Sequence, residues 1–414
     1  MQLLRHHDDF RRLWLAQTIS QIGGQVTYLA LPLTAAISLQ ATPAQMGLLT
    51  AMGAMPSLIV GLIAGEVVDR RARRPILISA DLVRAVLLAT IPLAWIAGVL
   101  SMPLLYVVAF LAGACALFFD IAYQAFVPSL LDRQKLVEGN SLLELSRSAA
   151  EVIGPTLGGG LVQVLKAPLA IAVDACSFLA SAVLIARIRI QEPRRHLPAT
   201  AGSIWRTALT GMREVGRSAP LRALAVSLAA IGLFNAMIEA VVILYLTRSV
   251  GLAPGLLGLV FAIGSAGFVV GALLPARLVR AIGVGPTLAA SIAVIGLSDL
   301  ALPLVGQDVR LVALAVALGQ FFFGLGLTVF RVAQISVRQA IVPDLLLGRV
   351  GGALNVLGWG IAPLGAVVGG LLGQMVGLRW TLVVGALLEA ATAIWIWRSP
   401  LWAMRDIALR EDAE

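Results

Sequence analysis

Charge is what this 414-residue chain has least of: 13% of it is Asp, Glu, Lys or Arg, against 59% hydrophobic residues. Soluble domains carry roughly twice that share of charge. A large soluble helical protein needs charged outer faces on its helices, and these segments lack them, so that class is excluded. Cysteine is scarce too. Cys115 and Cys176 both lie in apolar runs, which excludes a disulfide framework and a thiolate metal site. The three histidines, His6, His7 and His196, lie in polar segments, so no buried His/Cys constellation points to catalysis. There is no G-x-x-x-x-G-K-[ST] phosphate loop, which argues against ATP drive within this chain. Neither a metal nor a cofactor is expected. The opening MQLLRHHDDFRR is polar, and the apolar run after it is far longer than a signal core, so no cleavable signal peptide is expected.

What the chain does have is long apolar runs, each sufficient to span a bilayer as a helix. Spans are expected near 13–39, 46–68, 75–98, 102–124, 139–165, 168–190, 219–246, 255–279, 285–305, 309–333, 349–376 and 378–398. Twelve spans put both termini on one side. Counting Lys and Arg by face gives 24 on the side of the termini and 4 opposite, with Arg84, Arg147 and Arg331 inside spans. That asymmetry makes the terminal side cytoplasmic. It also explains the formal charge of +9 without nucleic acid. The organisation expected is an N-terminal six-helix bundle over 1–190, a cytoplasmic linker over 191–218, and a C-terminal six-helix bundle over 219–414. The end of the linker can form an interfacial helix with Trp205, Leu209 and Met212 on one side. This longest hydrophilic stretch is too short for a soluble domain, which weighs against a membrane enzyme or receptor.

The halves resemble each other. QAFVPSLL at 124–131 matches QAIVPDLL at 339–346 in six of eight positions, and both follow the fourth span of their half. Such internal duplication marks a large transporter class. The connection GEVVDRRARRP at 65–75 closely resembles the G-x-x-x-D-R-x-G-R-R signature of the major facilitator superfamily. Gly65, Asp69, Arg70, Arg73 and Arg74 match, and Ala72 stands where the signature has Gly. The resemblance implies that Asp69 takes part in a gate; the arginines suit a loop held at lipid headgroups. The second-half counterpart from Gly271 keeps Arg277 and Arg280 but has Pro275 in place of the Asp.

AEVIGPTLGG at 150–159 resembles the fifth-span motif of the superfamily's antiporters, with Ala150 for its first Gly. Gly154, Pro155, Gly158 and Gly159 allow close helix approach, and Pro155 releases a backbone hydrogen bond. The whole chain is similar to the twelve-span drug:proton antiporter branch, and most of all to the group that holds macrolide and siderophore exporters. That resemblance implies an all-α membrane protein of the major facilitator fold, two six-helix bundles with pseudo-two-fold symmetry. It implies proton-coupled export of small amphiphilic molecules, with siderophore export or lysophospholipid flipping as alternatives. The setting it implies is a monomer in a prokaryotic inner membrane.

Glu144, Arg147 and Glu151, spaced i, i+3, i+7, share a face of the fifth span. Glu151 falls about 16 Å along the helix at ~1.5 Å per residue, near the midplane. A charge there needs a partner, and two acids on one Arg leave one incompletely paired. The trio is either a proton site or a charge cluster that locks spans together. Glu151 leads as proton carrier, followed by Glu239 and Asp120; Asp174, Asp299 and Glu389 are further intramembrane acids, and Asp81 and Arg84 can pair. Aligning Pro155 with Pro363 puts Gly352, Asn355 and Trp359 opposite the trio, so ionic work on this span belongs to the first half. Gln17, Gln21 and Gln25 line one face of the first span, Asn235 and Glu239 one face of the seventh, and Phe321, Phe322 and Phe323 follow one another in the tenth. These are the cavity candidates, though glutamines also serve as glue between helices and phenylalanines also face lipid.

The charge asymmetry carries a topological prediction. Epitope tags at residue 1, within 195–202 and at residue 414 should all be shielded in intact cells and accessible after permeabilisation.

Overall fold

The computed structural model describes residues 3–4, 7–60, 64, 67–68, 70–132, 135–189, 204–305 and 308–404. In chain order its helices are α1 (Asp8–Leu33), α2 (Pro43–Ile59), α3 (Arg73–Ile96), α4 (Met102–Leu130), α5 (Leu136–Leu165), α6 (Ala167–Ala186) and α7 (Ile204–Arg217). There follow α8 (Ala219–Leu244), α9 (Pro254–Ala272), α10 (Pro275–Ile282), α11 (Val284–Leu304), α12 (Val309–Ile341), α13 (Asp344–Trp359), α14 (Ala362–Met375) and α15 (Leu378–Trp397). Among the described residues nine segments are long and apolar enough to cross a membrane. The other expected spans contain α1, α2 and α5. Two of these, α1 and α5, carry the glutamine stripe and the ionic trio.

Two expected spans are broken. Where the eighth was expected to run over 255–279, α9 ends at Ala272 and Pro275 opens the short α10, because proline suits a helix start and not its interior. Where the eleventh was expected to run over 349–376, α13 and α14 meet at Gly360–Ile361, just before Pro363. The linker helix forms as α7. Gly211 rests on the backbone of Arg349 in α13, while Leu209 and Met212 stay exposed at 61% and 40%. Residues 191–203 of the linker lie outside the described residues.

The chain forms two compact units: Met1–Ala41, Met55–Ala201 and Ala253–Ala262 in the first, and Thr42–Ala54, Gly202–Leu252 and Ile263–Glu414 in the second. Each has its own apolar core. Phe10, Leu13, Leu77, Phe126 and Ile185 are buried in the first, and Leu224, Leu288, Phe330, Val350 and Ile396 in the second. The packing plan is repeated. In the first unit α1 packs on α5 and α6, and α3 on α4 and α6; in the second α8 packs on α14 and α15, and α11 on α12 and α15.

The repeat extends to single turns. The first helix of each half runs into a five-residue π turn, Thr34–Ser38 after α1 and Tyr245–Ser249 after α8, positions 211 apart. Within the first unit the backbone of Gly159 in α5 meets that of Gly258 in α9; within the second, Gly370 in α14 meets Gly47 in α2. A Cβ on Gly159 would lie 2.5 Å from Pro254 O and 2.8 Å from Gly258 Cα; one on Gly370 would lie 2.7 Å from Pro43 O and 2.8 Å from Gly47 Cα. These contacts correct the internal alignment. The carbonyl of Pro155 opposes Gly258 as that of Ala366 opposes Gly47, so Pro155 corresponds to Ala366, not to Pro363. The positions equivalent to Glu144, Arg147 and Glu151 are then Asn355, Gly358 and Ala362, three residues further on than proline matching put them. None of these carries a charge, so the ionic trio still has no second-half counterpart.

A Cβ placed on Gly160 would meet nothing within 4 Å, whereas one on Gly159 abuts backbone. Gly159→Leu should therefore cost about 1–3 kcal/mol or more of stability by overpacking, and Gly160→Leu next to it almost none. Thermal midpoints of the purified variants in detergent check this pair.

Candidate functional site

Polar residues from three helices of the first unit line a cavity of about 360 Å³. Its walls are Gln21 from α1, Tyr123, Gln124, Val127 and Pro128 from α4, and Asn140, Leu143, Glu144 and Arg147 from α5. Amides, one phenol and an ion pair share the lining with aliphatic side chains, and the volume lies within the range of small-molecule sites.

The glutamine stripe meets three different fates. Gln17 is buried at 5% exposure and takes a hydrogen bond from Ser20 Oγ at 3.3 Å. Gln21 lines the cavity, and its Oε1 is a buried acceptor with no hydrogen-bond partner among the described residues. Gln25 lays its stem over Gly154, so the antiporter-type motif and the stripe meet there. One glutamine of three thus faces the cavity, and another serves as packing.

In the ionic trio Arg147 grips Glu144 through two bonds, Nη2 to Oε1 at 2.7 Å and Nε to Oε2 at 3.1 Å. Its contact with Glu151 is single and longer, 3.6 Å from Nη1 to Oε1. All three side chains are exposed to a degree, Glu144 at 61%, Arg147 at 52% and Glu151 at 37%. The i, i+3 and i, i+4 spacings on one helix face produce this geometry. Asp120 is exposed on α4, within electrostatic reach of both Arg147 and Arg84.

The signature loop makes a tie at the end of the bundle. Gly65 and Asp69 lie outside the described residues. Ala72 has φ −62° and ψ 134°, an ordinary extended conformation, so the glycine of the signature is not required here. Arg73 is buried, and Arg74 donates from Nε to Ile185 O at 3.3 Å and from Nη2 to Ala186 O at 2.5 Å. Arg12 donates to Arg187 O at 2.8 Å. These arginines cap the C-terminal end of α6: Ala186 O and Arg187 O take their side chains, and Ile185 O takes Arg74 beside the backbone N–H of Ile188.

In the second unit Asn235 and Glu239 are half-buried on α8. The phenylalanine run disperses: Phe321 and Phe322 meet edge to face at 5.4 Å, Phe322 is 47% exposed, and Phe323 packs on Phe268 of α9 at 6.5 Å. Sequence reading left Asp299 and Glu389 as separate acids. The structure brings them together across the α11–α15 seam, with Glu389 fully buried and both its carboxylate oxygens without a hydrogen-bond partner among the described residues. It also gathers Asp81, Arg84 and Asp174 around the α3–α6 seam. The signal available in the sequence was that each is an ionisable residue inside a span; their convergence depends on α1, α3 and α6 meeting, which no local spacing shows.

Half-exposed ion pairs contribute about 0–1 kcal/mol. Glu144→Gln should accordingly shift stability by no more than about 1 kcal/mol, read as a thermal midpoint in detergent. A loss several times larger would mark Glu144 as a structural tie and not as the partner that holds Arg147.

Comparison with known proteins matches this architecture. The profile of a family described as transmembrane secretion effectors matches residues 4–413. The multidrug efflux pump Tap of Mycolicibacterium fortuitum is 29% identical over 346 residues, 80% of this chain and 80% of its own. YfiS of Bacillus subtilis (strain 168), an uncharacterised transporter of the major facilitator type, is 26% identical over 93% of this chain and 92% of its own. Among solved structures, the nucleoside transporter NupG aligns with a TM-score of 0.77 at 12% identity, over 94% of this chain and 98% of its own. A bacterial homologue of the iron transporter ferroportin, in its inward-facing state, gives 0.73 at 18% identity, over 96% of this chain and all of its own. At those identities the solved structures speak to the fold alone. With the profile covering almost the whole length and the drug-efflux relatives beside it, the chain belongs to the major facilitator superfamily, in its transmembrane secretion effector family, and is a multi-pass membrane transporter rather than an enzyme.

Proposed function

We propose that this transporter is a proton-coupled exporter of small amphiphilic molecules that works by alternating access, with both termini in the cytoplasm and the monomer as the working unit. The observation that carries the proposal is the unequal pairing beside the cavity. Arg147 commits two bonds to Glu144 and one long contact to Glu151. Of the two acids that share Arg147, Glu151 is the more loosely held, and it is assigned as the proton carrier on that geometry. Glu239 and Asp120 stand behind it as alternative carriers. The amides of Gln21, Gln124 and Asn140 supply polar groups at the cavity wall, and Val127, Leu143 and the Tyr123 ring suit an apolar body. The efflux activity in the name of Tap supports the outward direction. Asp69 is assigned to the gate, on its place in the signature loop, and Gln17, Gln25, Asn235, Phe321 and Phe322 to the surroundings of the substrate path.

Coupling requires that proton and substrate favour opposite states of one equilibrium. Glu151→Gln imitates the protonated acid at nearly the same volume. It should still exchange substrate across the membrane and fail to accumulate it against a gradient. The measurement is transport of a panel of amphiphilic drugs into proteoliposomes under an imposed pH gradient, with a pH dye reporting proton movement. Protons moving with substrate at the wild-type ratio in Glu151→Gln would remove Glu151 from the role. A wild type that moves lysophospholipid, and no drug in the panel, would favour the flippase reading.

A further inference from the structure

The α3–α6 seam holds ions that the cavity does not use. Asp81, on α3, is fully buried; its Oδ2 takes a hydrogen bond from Ser181 Oγ of α6 at 2.6 Å, and its Oδ1 has no partner among the described residues. Asp174, on α6, is 1% exposed and takes a hydrogen bond from Ser177 Oγ at 2.9 Å, with Thr27 of α1 beside it. Gly23 of α1 lies directly over Ser177 and Asp174, where a Cβ would collide with both, so α1 closes the site. Arg84 lies within electrostatic reach of both acids and stacks its guanidinium on the Phe178 ring, 3.7 Å from the ring centre. From α4, Cys115 and Asp120 also face Arg84; Asp120 is exposed and has Arg147 as a second cation.

We infer that Asp81 and Asp174 form a one-proton site, with Arg84 as the counter-charge that the two carboxyls share. It rests on a count around two carboxyls that solvent does not reach. Two buried carboxylates against one guanidinium leave a net charge of −1 in an apolar interior, and the serines supply donors without supplying charge. One proton cancels it. The charge balances equally with the proton on Asp81 and Arg84 paired to Asp174, or with the proton on Asp174 and Arg84 paired to Asp81. The two arrangements place the proton on different helices, so sliding of α3 along α6 moves it without changing the total charge. Water cannot settle the matter as it can for the half-exposed Glu151. Only the site's place in transport rests on the proton-coupled reading; its proton is a separate observable.

Infrared spectroscopy of the full chain in nanodiscs at neutral pH reads the proton directly, through the C=O stretch of a protonated carboxyl that exchanges slowly into D₂O. The Asp299–Glu389 pair is subtracted as background with an Asp299→Asn, Glu389→Gln double variant. Removing either acid leaves the other ionised against Arg84, so Asp81→Asn and Asp174→Asn should each abolish the same remaining band. Arg84→Gln leaves two acids and no cation, and should raise the band roughly twofold. An unchanged band in either Asn variant overturns the inference. So does a loss of half the band in each, which would mean two separately protonated acids, or a loss of the band on adding Na⁺, which would mark a sodium site. Should Arg84→Gln fail to fold, the two Asn variants decide alone. In proteoliposomes, Asp81→Asn should lower the number of protons moved per substrate, and an unchanged ratio overturns the site's place in transport. If the wild type moves no protons at all, the coupled-export reading fails while the infrared result stands.

Discussion

An ion inside a bilayer has no bulk water to solvate it, and the charges of this chain are placed accordingly. Those in the connections sit overwhelmingly on one face. Those inside the first unit are drawn to seams between helices or to the wall of one cavity. A charge at the midplane costs about 2.5–3.5 kcal/mol on insertion scales, so each must be recovered by a partner, a proton or access to solvent. The three solutions are found side by side. Glu144 has an arginine fork, Asp81 has a serine hydroxyl with Arg84 near by, and Glu151 has a long contact and partial exposure.

The same absence of water governs how helices meet. Apolar side chains gain nothing from leaving lipid for one another, so association depends on close approach and dispersion. The Gly159–Gly258 and Gly370–Gly47 contacts bring backbone against backbone, closer than any side chain allows. At the end of the first unit the logic turns to hydrogen bonds: Arg12 and Arg74 occupy carbonyls that α6 leaves open. Arg74 of the signature loop and Arg12 of α1 thus hold the end of α6 to the starts of α3 and α1.

Much of the fold was legible because it is written in long runs and repeats. Twelve apolar segments, the face-by-face charge count and the QAFVPSLL/QAIVPDLL pair need no three-dimensional information. The trio on α5 was legible for the same reason, since i, i+3 and i+7 share a helix face whatever the helix packs against. What could not be read depends on which helices touch. Gln17, Gln21 and Gln25 look alike in sequence and differ in the structure only because α4, α5 and the Gly154 notch approach different turns of α1. Asp81 and Asp174 stand more than 90 positions apart, and Asp299 and Glu389 about as far. Matching prolines misled the internal alignment by three residues, because a proline marks where one helix bends and not where two helices meet.

The π turns closing α1 and α8 bear on the likeness of the two halves. A π turn arises when one residue is inserted into an α-helix and the ladder widens around it instead of breaking. Thr34–Ser38 and Tyr245–Ser249 occupy equivalent places, and Leu39 and Val250 each donate a backbone hydrogen bond five residues back, to Thr34 O and Tyr245 O. The widened turn falls at the same 211-residue offset as the glycine contacts, so the two halves share a backbone detail that their sequences no longer show.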